Sequence, residues 1–493
     1  MHDADRRAYD RRQMGKKGVL GALGVVGCAV AALGLGPLAA AAPESAPVGP
    51  AATFSGPVTV GHVVEPEAAS APDLAAHGYV EKEFFASGTA HAYAATSSPS
   101  DGQWTIAPTT SAAYETRILV RRPSNPVHFS GTVVVEWLNV SEGESDPDWT
   151  YLNPAMMDAG DAWVGVSAQA LGVEGGTPIL GTATAGVGSG LVQQEPARYG
   201  SLHHPGDQYA LDIFDQIGLG LRSKPSSVLG PLRPRHFVAA GESQSAFYLT
   251  TFADALEPLH HTYDGIFIHS RGGTGAPLGG TSITAGKGPT AQIRTDLHVP
   301  VFMFETQTDL IELGYAAAQQ RNAPFIRTWE VAGTSHADAY ILGNNAGLLG
   351  CTSTINTGPQ HVVAQAAFAD FVRWVANGTP PPSPQAFRLQ SEHPATLALD
   401  GHGNVIGGVR TPAVDVPVST LSQTAAPGAS VICSLFGSTT PFSASTLVGL
   451  YGTKANYLAK YKADLDRAIA EGYLLPSERA GLLAAAQKVQ FPA

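Results

Sequence analysis

Charge is scarce in this sequence. Asp, Glu, Lys and Arg make up 14% of its 493 residues, with 29 basic against 41 acidic side chains. Beyond the first 17 positions no basic cluster occurs. Nucleic-acid binding needs clustered Lys and Arg for phosphate contacts, so that partner is excluded. Cysteine is rarer still, at three. Neither a CxxC pair nor HxxxH spacing exists, which excludes a structural zinc site, and no metal or organic cofactor is expected. Only one long apolar run occurs, near the N-terminus. Nothing after it approaches the ~20 apolar residues of a transmembrane helix, so no stable span is expected after processing. Disorder is excluded by the 44% of hydrophobic residues. What is abundant is glycine, at 55, and proline, at 36. Such counts suit rigid-cornered loops on a compact scaffold.

Residues 1–42 read as an export signal. "RRAYDRRQMGKK" is basic, "GVLGALGVVGCAVAALGLG" is apolar, and "PLAAAAP" offers a small-residue cleavage site. "RRQMGKK" also has the look of a twin-arginine signal. A lipoprotein reading at Cys28 is disfavoured because the apolar run continues past it. A secreted bacterial protein is therefore expected. Cleavage after Ala42 removes six Lys or Arg and three Asp or Glu, moving the net charge from −12 to −15. Two cysteines remain, Cys351 and Cys433, and in an oxidising compartment one disulfide between them is expected.

Residues 43–75, rich in Ala, Pro and Glu, read as a tether leading into a first strand. Over 76–380 short apolar runs alternate with helix-like stretches. "GTVVVEWLNVSEG" (131–143) is a continuous β-branched run, the mark of a strand buried on both faces. "NPAMMDAG" (153–160) reads as a short helix with Pro154 in its first turn. Such alternation predicts an α/β fold, with a mostly parallel sheet and helices on both faces. Reactive groups then belong at the carboxyl ends of the strands. Two Gly/Thr-rich excursions, 171–190 and 271–288, interrupt the pattern and suit a pocket mouth. Residues 381–493 read as short strands, turns and helices, an appendage of scaffold packed on the core.

"HFVAAGESQSAFYLTTFADAL" (236–256) runs a strand into Gly241-Glu242-Ser243-Gln244-Ser245 and then directly into a helix. This is the nucleophile-elbow pattern, G-x-S-x-G, with Ser245 in place of the second glycine. The sharp turn lifts the Ser243 hydroxyl clear of the sheet and aims the Gln244 amide at a developing oxyanion. A serine hydroxyl needs a base and the base an acid, each after a later strand. "VPVFMFETQTDLIELG" supplies Asp309, with Glu305 as the competing acid, and "FIRTWEVAGTSHADAY" supplies His336. His336 would take the serine proton, and Asp309 would fix the imidazole tautomer. A second oxyanion donor is expected from the amide of Leu138 or Asn139; alternatively Asn139 holds its loop through side-chain hydrogen bonds. His269 and Arg271 follow a strand end and are placed in the substrate pocket, Arg271 as a candidate for a substrate carboxylate. The acidic stretch Glu142, Glu144, Asp146 and Asp148 reads as a solvated face, and "LHHPGD" (202–207) as a structural loop.

These motifs, together with "GYVEKEFFASGTAHAY", "SLHHPGDQYALDIF" and "GPQHVVAQAAFADFVRWVANGTPPP", resemble the bacterial secreted "alpha/beta hydrolase domain" family across nearly the whole chain beyond residue 55. The resemblance implies an α/β-hydrolase fold and places the nucleophile on Ser243 and the base on His336. Its "ET-x-TD" loop leaves both Glu305 and Asp309 as acids. It extends to phthalyl amidase, which would allow amides as well as esters. The expectation is a secreted serine hydrolase acting on a small-molecule carboxylic ester or amide. Its rivals are an acyltransferase on the same residues and a non-catalytic envelope-associated binding protein.

Overall fold

In the computed structural model the chain divides into Met1–Ser45 and Ala46–Ala493. The structure describes residues 49–68, 71–179, 188–279, 290–425 and 429–491, all in the second unit. The export signal, with Cys28 and its cleavage site, lies outside the described residues. So do 180–187 and 280–288 of the two Gly/Thr-rich excursions. No helix among the described residues is long and apolar enough to cross a membrane.

One sheet organises the described unit. Its strands are β1 (Thr53–Ser55), β2 (Tyr79–Ser97), β3 (Thr105–Pro123), β4 (Thr132–Trp137), β5 (Ala162–Val166), β6 (His236–Glu242), β7 (Gly265–His269), β8 (Val301–Glu305) and β9 (Ile326–Glu330). Their spatial order is β1-β2-β3-β5-β4-β6-β7-β8-β9. The first three pairings, through β3 against β5, are antiparallel; every pairing from β5 to β9 is parallel. The expected mostly parallel sheet is therefore present, carrying an antiparallel wing of two 19-residue strands.

Alternate side chains feed two cores. Val133 and Val135 of β4 join one, with Ile213, Phe214 and Ile217 of α2 (Ala210–Ser223) and Phe252 of α3 (Gln244–Ala255). Val134 joins the other, with Met156 of α1 (Pro147–Ala159) and Phe368 and Phe371 of α5 (Gln360–Asn377). A β-branched run is the right filling for a strand covered on both sides, where neither face can be polar. The C-terminal stretch contributes Leu465 and Ala468 of α7 (Lys454–Ala470) to the second core.

Helix α1 departs from the expected boundaries. It begins at Pro147, seven residues before Pro154, which sits inside it. A proline there leaves the Thr150 carbonyl without its i+4 amide donor. The neighbouring Asn153 Nδ2 donates to Thr150 O at 3.2 Å and to Trp149 O at 2.9 Å, so a side chain substitutes for the missing backbone donor. Gly160 ends the helix at φ 80°, and a Cβ there would lie 1.9 Å from the His128 carbonyl oxygen.

Candidate active site

Strand β6 delivers Ser243 and α3 starts one residue later. Ser243 is held at φ 57°, ψ −119°, a left-handed conformation that costs an L-residue roughly 1–3 kcal/mol. The neighbours explain how the corner is tolerated. A Cβ on Gly241 would come within 3.0 Å of both Leu249 Cδ1 and Ser245 Cβ, so a bulkier residue at 241 would push strand and helix apart. Ser245 is fully buried and small enough for the second position.

The three residues singled out for chemistry converge. His336 Nε2 lies 2.7 Å from Ser243 Oγ, and its Nδ1 lies 2.6 Å from Asp309 Oδ1. Asp309 is anchored by a capping box at the start of α4 (Gln307–Ile311). Its Oδ2 accepts from the Thr306 amide at 2.6 Å and from Thr306 Oγ1 at 2.7 Å, which frees Oδ1 for the imidazole. The local signal is "TQTD", with Thr306 as N-cap and an acid three residues on. Glu305 is elsewhere. It ends β8 fully buried, opposite Glu330 of β9, and neither carboxyl oxygen has a hydrogen-bond partner among the described residues. Burial, then the nearby Asp309 charge, pushes its pKa well above the usual range.

Burial lowers the basicity of His336, but the Asp309 hydrogen bond and charge, helped by Glu242, leave it above the ordinary histidine value. Glu242 is a site residue that sequence reasoning passed over. It is buried, with Oε1 3.7 Å from His336 Nε2 and Oε2 3.4 Å from Asn139 Nδ2. Burial pushes its pKa up to about 7, against the pull of His336 and His269. The signal was present: a charged residue at the end of an otherwise apolar strand.

Several expectations about the surroundings are corrected. The amides of Leu138 and Asn139 are not available to an oxyanion, because they donate to Val166 O at 3.2 Å and Ser145 O at 2.9 Å. Asn139 instead braces its loop, accepting from the Ser141 amide at 2.7 Å and donating to Glu242 O at 3.1 Å. The Gln244 amide, at the first helical position, has no intrahelical acceptor. The Gln244 side chain ties α3 to the same loop, accepting from the Val140 amide at 3.1 Å and donating to Gln169 Oε1 at 2.7 Å.

His269 and Arg271 do not line the pocket either. His269 is fully buried, 2.8 Å from Asp148 Oδ1. Arg271 is also fully buried; its guanidinium donates to the carbonyls of Gly272 and Ala291 and lies over the Tyr315 ring. A buried cation needs hydrogen-bond partners, and these two loop carbonyls supply them. The acidic loop is likewise mostly internal. Glu144 pairs with Arg117, Asp146 Oδ2 lies 2.5 Å from Arg121, and only Glu142 of the four reaches the cavity.

That cavity, about 730 Å³, opens over Ser243. Ile432, Leu435 and Phe436 of the C-terminal stretch line it, in and just after α6 (Val431–Leu435). Leu435 O also accepts from Thr308 Oγ1 at 3.4 Å, and the same hydroxyl accepts from the His336 amide at 2.5 Å. A disulfide joins Cys433 of α6 to Cys351, two residues after the lining Leu349. The appendage read as scaffold thus builds a wall of the pocket. Elsewhere, Asp212, Asp215 and His260 cluster within ligand distance of one another. Asp212 is already occupied by Tyr93 Oη, the His91 amide and Gln216 Nε2, and Asp215 by His260 and Thr262. His204, in the loop read as structural, is buried with Nε2 2.9 Å from Ala168 O.

A family model described as "Alpha/beta hydrolase domain" matches residues 54–484. A search of curated proteins finds no match. Among solved structures, Est1E from Butyrivibrio proteoclasticus is similar at 11% identity and TM-score 0.30, over 54% of this chain and 96% of its own. An S-formylglutathione hydrolase from Agrobacterium tumefaciens is similar at 8% identity and TM-score 0.29, over 60% of this chain and 96% of its own. Likeness this loose carries nothing about substrate.

Proposed function

The chain belongs to the alpha/beta hydrolase domain family, and from that premise we propose that it is an exported serine hydrolase cleaving a carboxylic ester through an acyl-serine intermediate. One observation carries the reading: a strained, partly exposed serine hydroxyl 2.7 Å from an imidazole whose other nitrogen is 2.6 Å from a buried carboxylate. In the mechanism, Ser243 Oγ attacks the ester carbonyl while His336 Nε2 removes its proton. Asp309 holds the Nδ1 proton and steadies the imidazolium. The developing oxyanion meets the Gln244 amide at the positive end of α3. His336 then protonates the leaving alkoxide, and a water activated by the same nitrogen releases the acid. The disulfide is consistent with an oxidising compartment.

A fluorophosphonate probe tests this directly. One adduct per chain is expected, located by mass spectrometry on the peptide holding Ser243. A wild-type chain that stays unlabelled would sink the proposal.

Glu242 makes a second expectation. Its carboxylate favours the imidazolium, so Glu242→Gln should make His336 easier to deprotonate. The acid limb of kcat/KM should then move down by roughly one pH unit, and the plateau kcat should fall about tenfold. A limb that stays put or moves upward would show that Glu242 does not act on His336.

A further inference from the structure

The lining of the cavity over Ser243 is of two kinds. Ile341, Leu342, Leu349, Ile432, Phe436 and Phe247 are apolar. Glu67, Glu142, Glu242 and Glu312 also line it, and no Lys or Arg does among the described lining residues. Glu83, a buried acid elsewhere in the chain, meets Arg117 and Arg198. Among the described residues no arginine pairs with the cavity's acids.

These carboxylates are held by their surroundings and not by arginines. Glu242 is 5% exposed, with Oε1 3.7 Å from His336 Nε2. Glu142 Oε1 is buried and has no hydrogen-bond partner among the described residues. The segment carrying Glu67 is pinned to the Glu142 loop, with the Glu67 amide donating to Glu144 O at 2.7 Å. Its carboxylate packs so closely that a Cβ on Gly143 would sit 2.5 Å from Glu67 Oε1. Burial and then the Glu67 charge raise the Glu142 pKa, as expected for like charges without an intervening cation.

We infer that the substrate is an apolar ester bearing an organic ammonium group and no carboxylate. The inference rests on the serine-hydrolase reading for the word ester, but its charge preference does not depend on turnover. An ammonium group would sit between Glu67 and Glu142, with the apolar remainder against Ile341 and Phe436. A substrate carboxylate would be repelled there, and Arg271, fully buried and outside the cavity lining, cannot receive it.

Binding to the Ser243→Ala chain, which retains the cavity without the nucleophile, tests the charge claim. Three matched phenyl butyrates are titrated by calorimetry, carrying para trimethylammonium, tert-butyl or carboxylate groups. Two partly exposed carboxylates should favour the ammonium over the tert-butyl compound by about five- to tenfold, and the carboxylate should bind weakest. The preference should shrink with added salt. On the same background, Glu67→Gln with Glu142→Gln should bring the ammonium to tert-butyl ratio close to one. Reading a ratio cancels any general loss of affinity. Equal binding of the three, strongest binding of the carboxylate, no binding of the ammonium compound, or a ratio unmoved by the double substitution would each overturn the inference. A wild-type chain that ranks the ligands as expected yet resists the fluorophosphonate would instead overturn the serine-hydrolase reading alone.

Discussion

Ser243→Ala is expected to lower kcat on p-nitrophenyl esters by about 10⁶-fold, while the protein stays folded. The chemical argument is that, among the described residues, Ser243 Oγ is the one hydroxyl in hydrogen-bond contact with His336 Nε2, while Glu242 Oε1 lies 3.7 Å away. Residual turnover comes from the cavity and the Gln244 amide positioning water. The structural argument is that alanine keeps the Cβ and the same φ of 57°, so the corner is unchanged. Ser243→Gly supplies an internal control. It removes the nucleophile as completely, yet relieves the left-handed strain, and should melt above Ser243→Ala by an amount corresponding to roughly 1 kcal/mol. Stopped-flow release of nitrophenol measures the first effect and thermal unfolding the second. Wild-type-like turnover by Ser243→Ala would move the nucleophile elsewhere.

The second large effect is expected at Asp309. Asp309→Asn should cut kcat by about 10⁴-fold, because an amide at that position can donate to Nδ1 and hold the imidazole in the tautomer that cannot accept the serine proton. The capping box limits the damage to this effect, since Thr306 can still bond the remaining side-chain oxygen. Glu305→Gln should change kcat less than tenfold. That carboxyl lies in a dry part of the sheet, and burial already favours its neutral form. An amide of the same size replaces it without removing a charge from the site. Steady-state kinetics on both variants decides between them: a larger loss from Glu305→Gln than from Asp309→Asn would reassign the acid.

Both effects concern residues that could be picked out from linear pattern, and the reason is physical. A strand that must end in a strained corner needs small residues at fixed offsets, so Gly241-Glu242-Ser243-Gln244-Ser245 is visible without coordinates. Asp309 and His336 follow later strands because loops converge at one end of a parallel sheet. Helix α1 shows how local pattern misleads. Pro154 resembled a helix start, since the Asn153 hydrogen bonds that make an internal proline tolerable depend on side-chain geometry. Arg271 misled for another reason. A cation just past a strand end can point into a cleft or into the protein interior, and only packing distinguishes the two.

The sequence alone determined the layered α/β architecture, the elbow and the order of Ser243, Asp309 and His336, because periodicity, residue size and chain direction are local or one-dimensional properties. Tertiary structure decided that Asp309 rather than Glu305 meets His336, that the Leu138 and Asn139 amides are already engaged, and that Ile432, Leu435 and Phe436 wall the cavity. Those outcomes depend on which groups from distant segments arrive at the same place, and no residue's neighbours in sequence encode that.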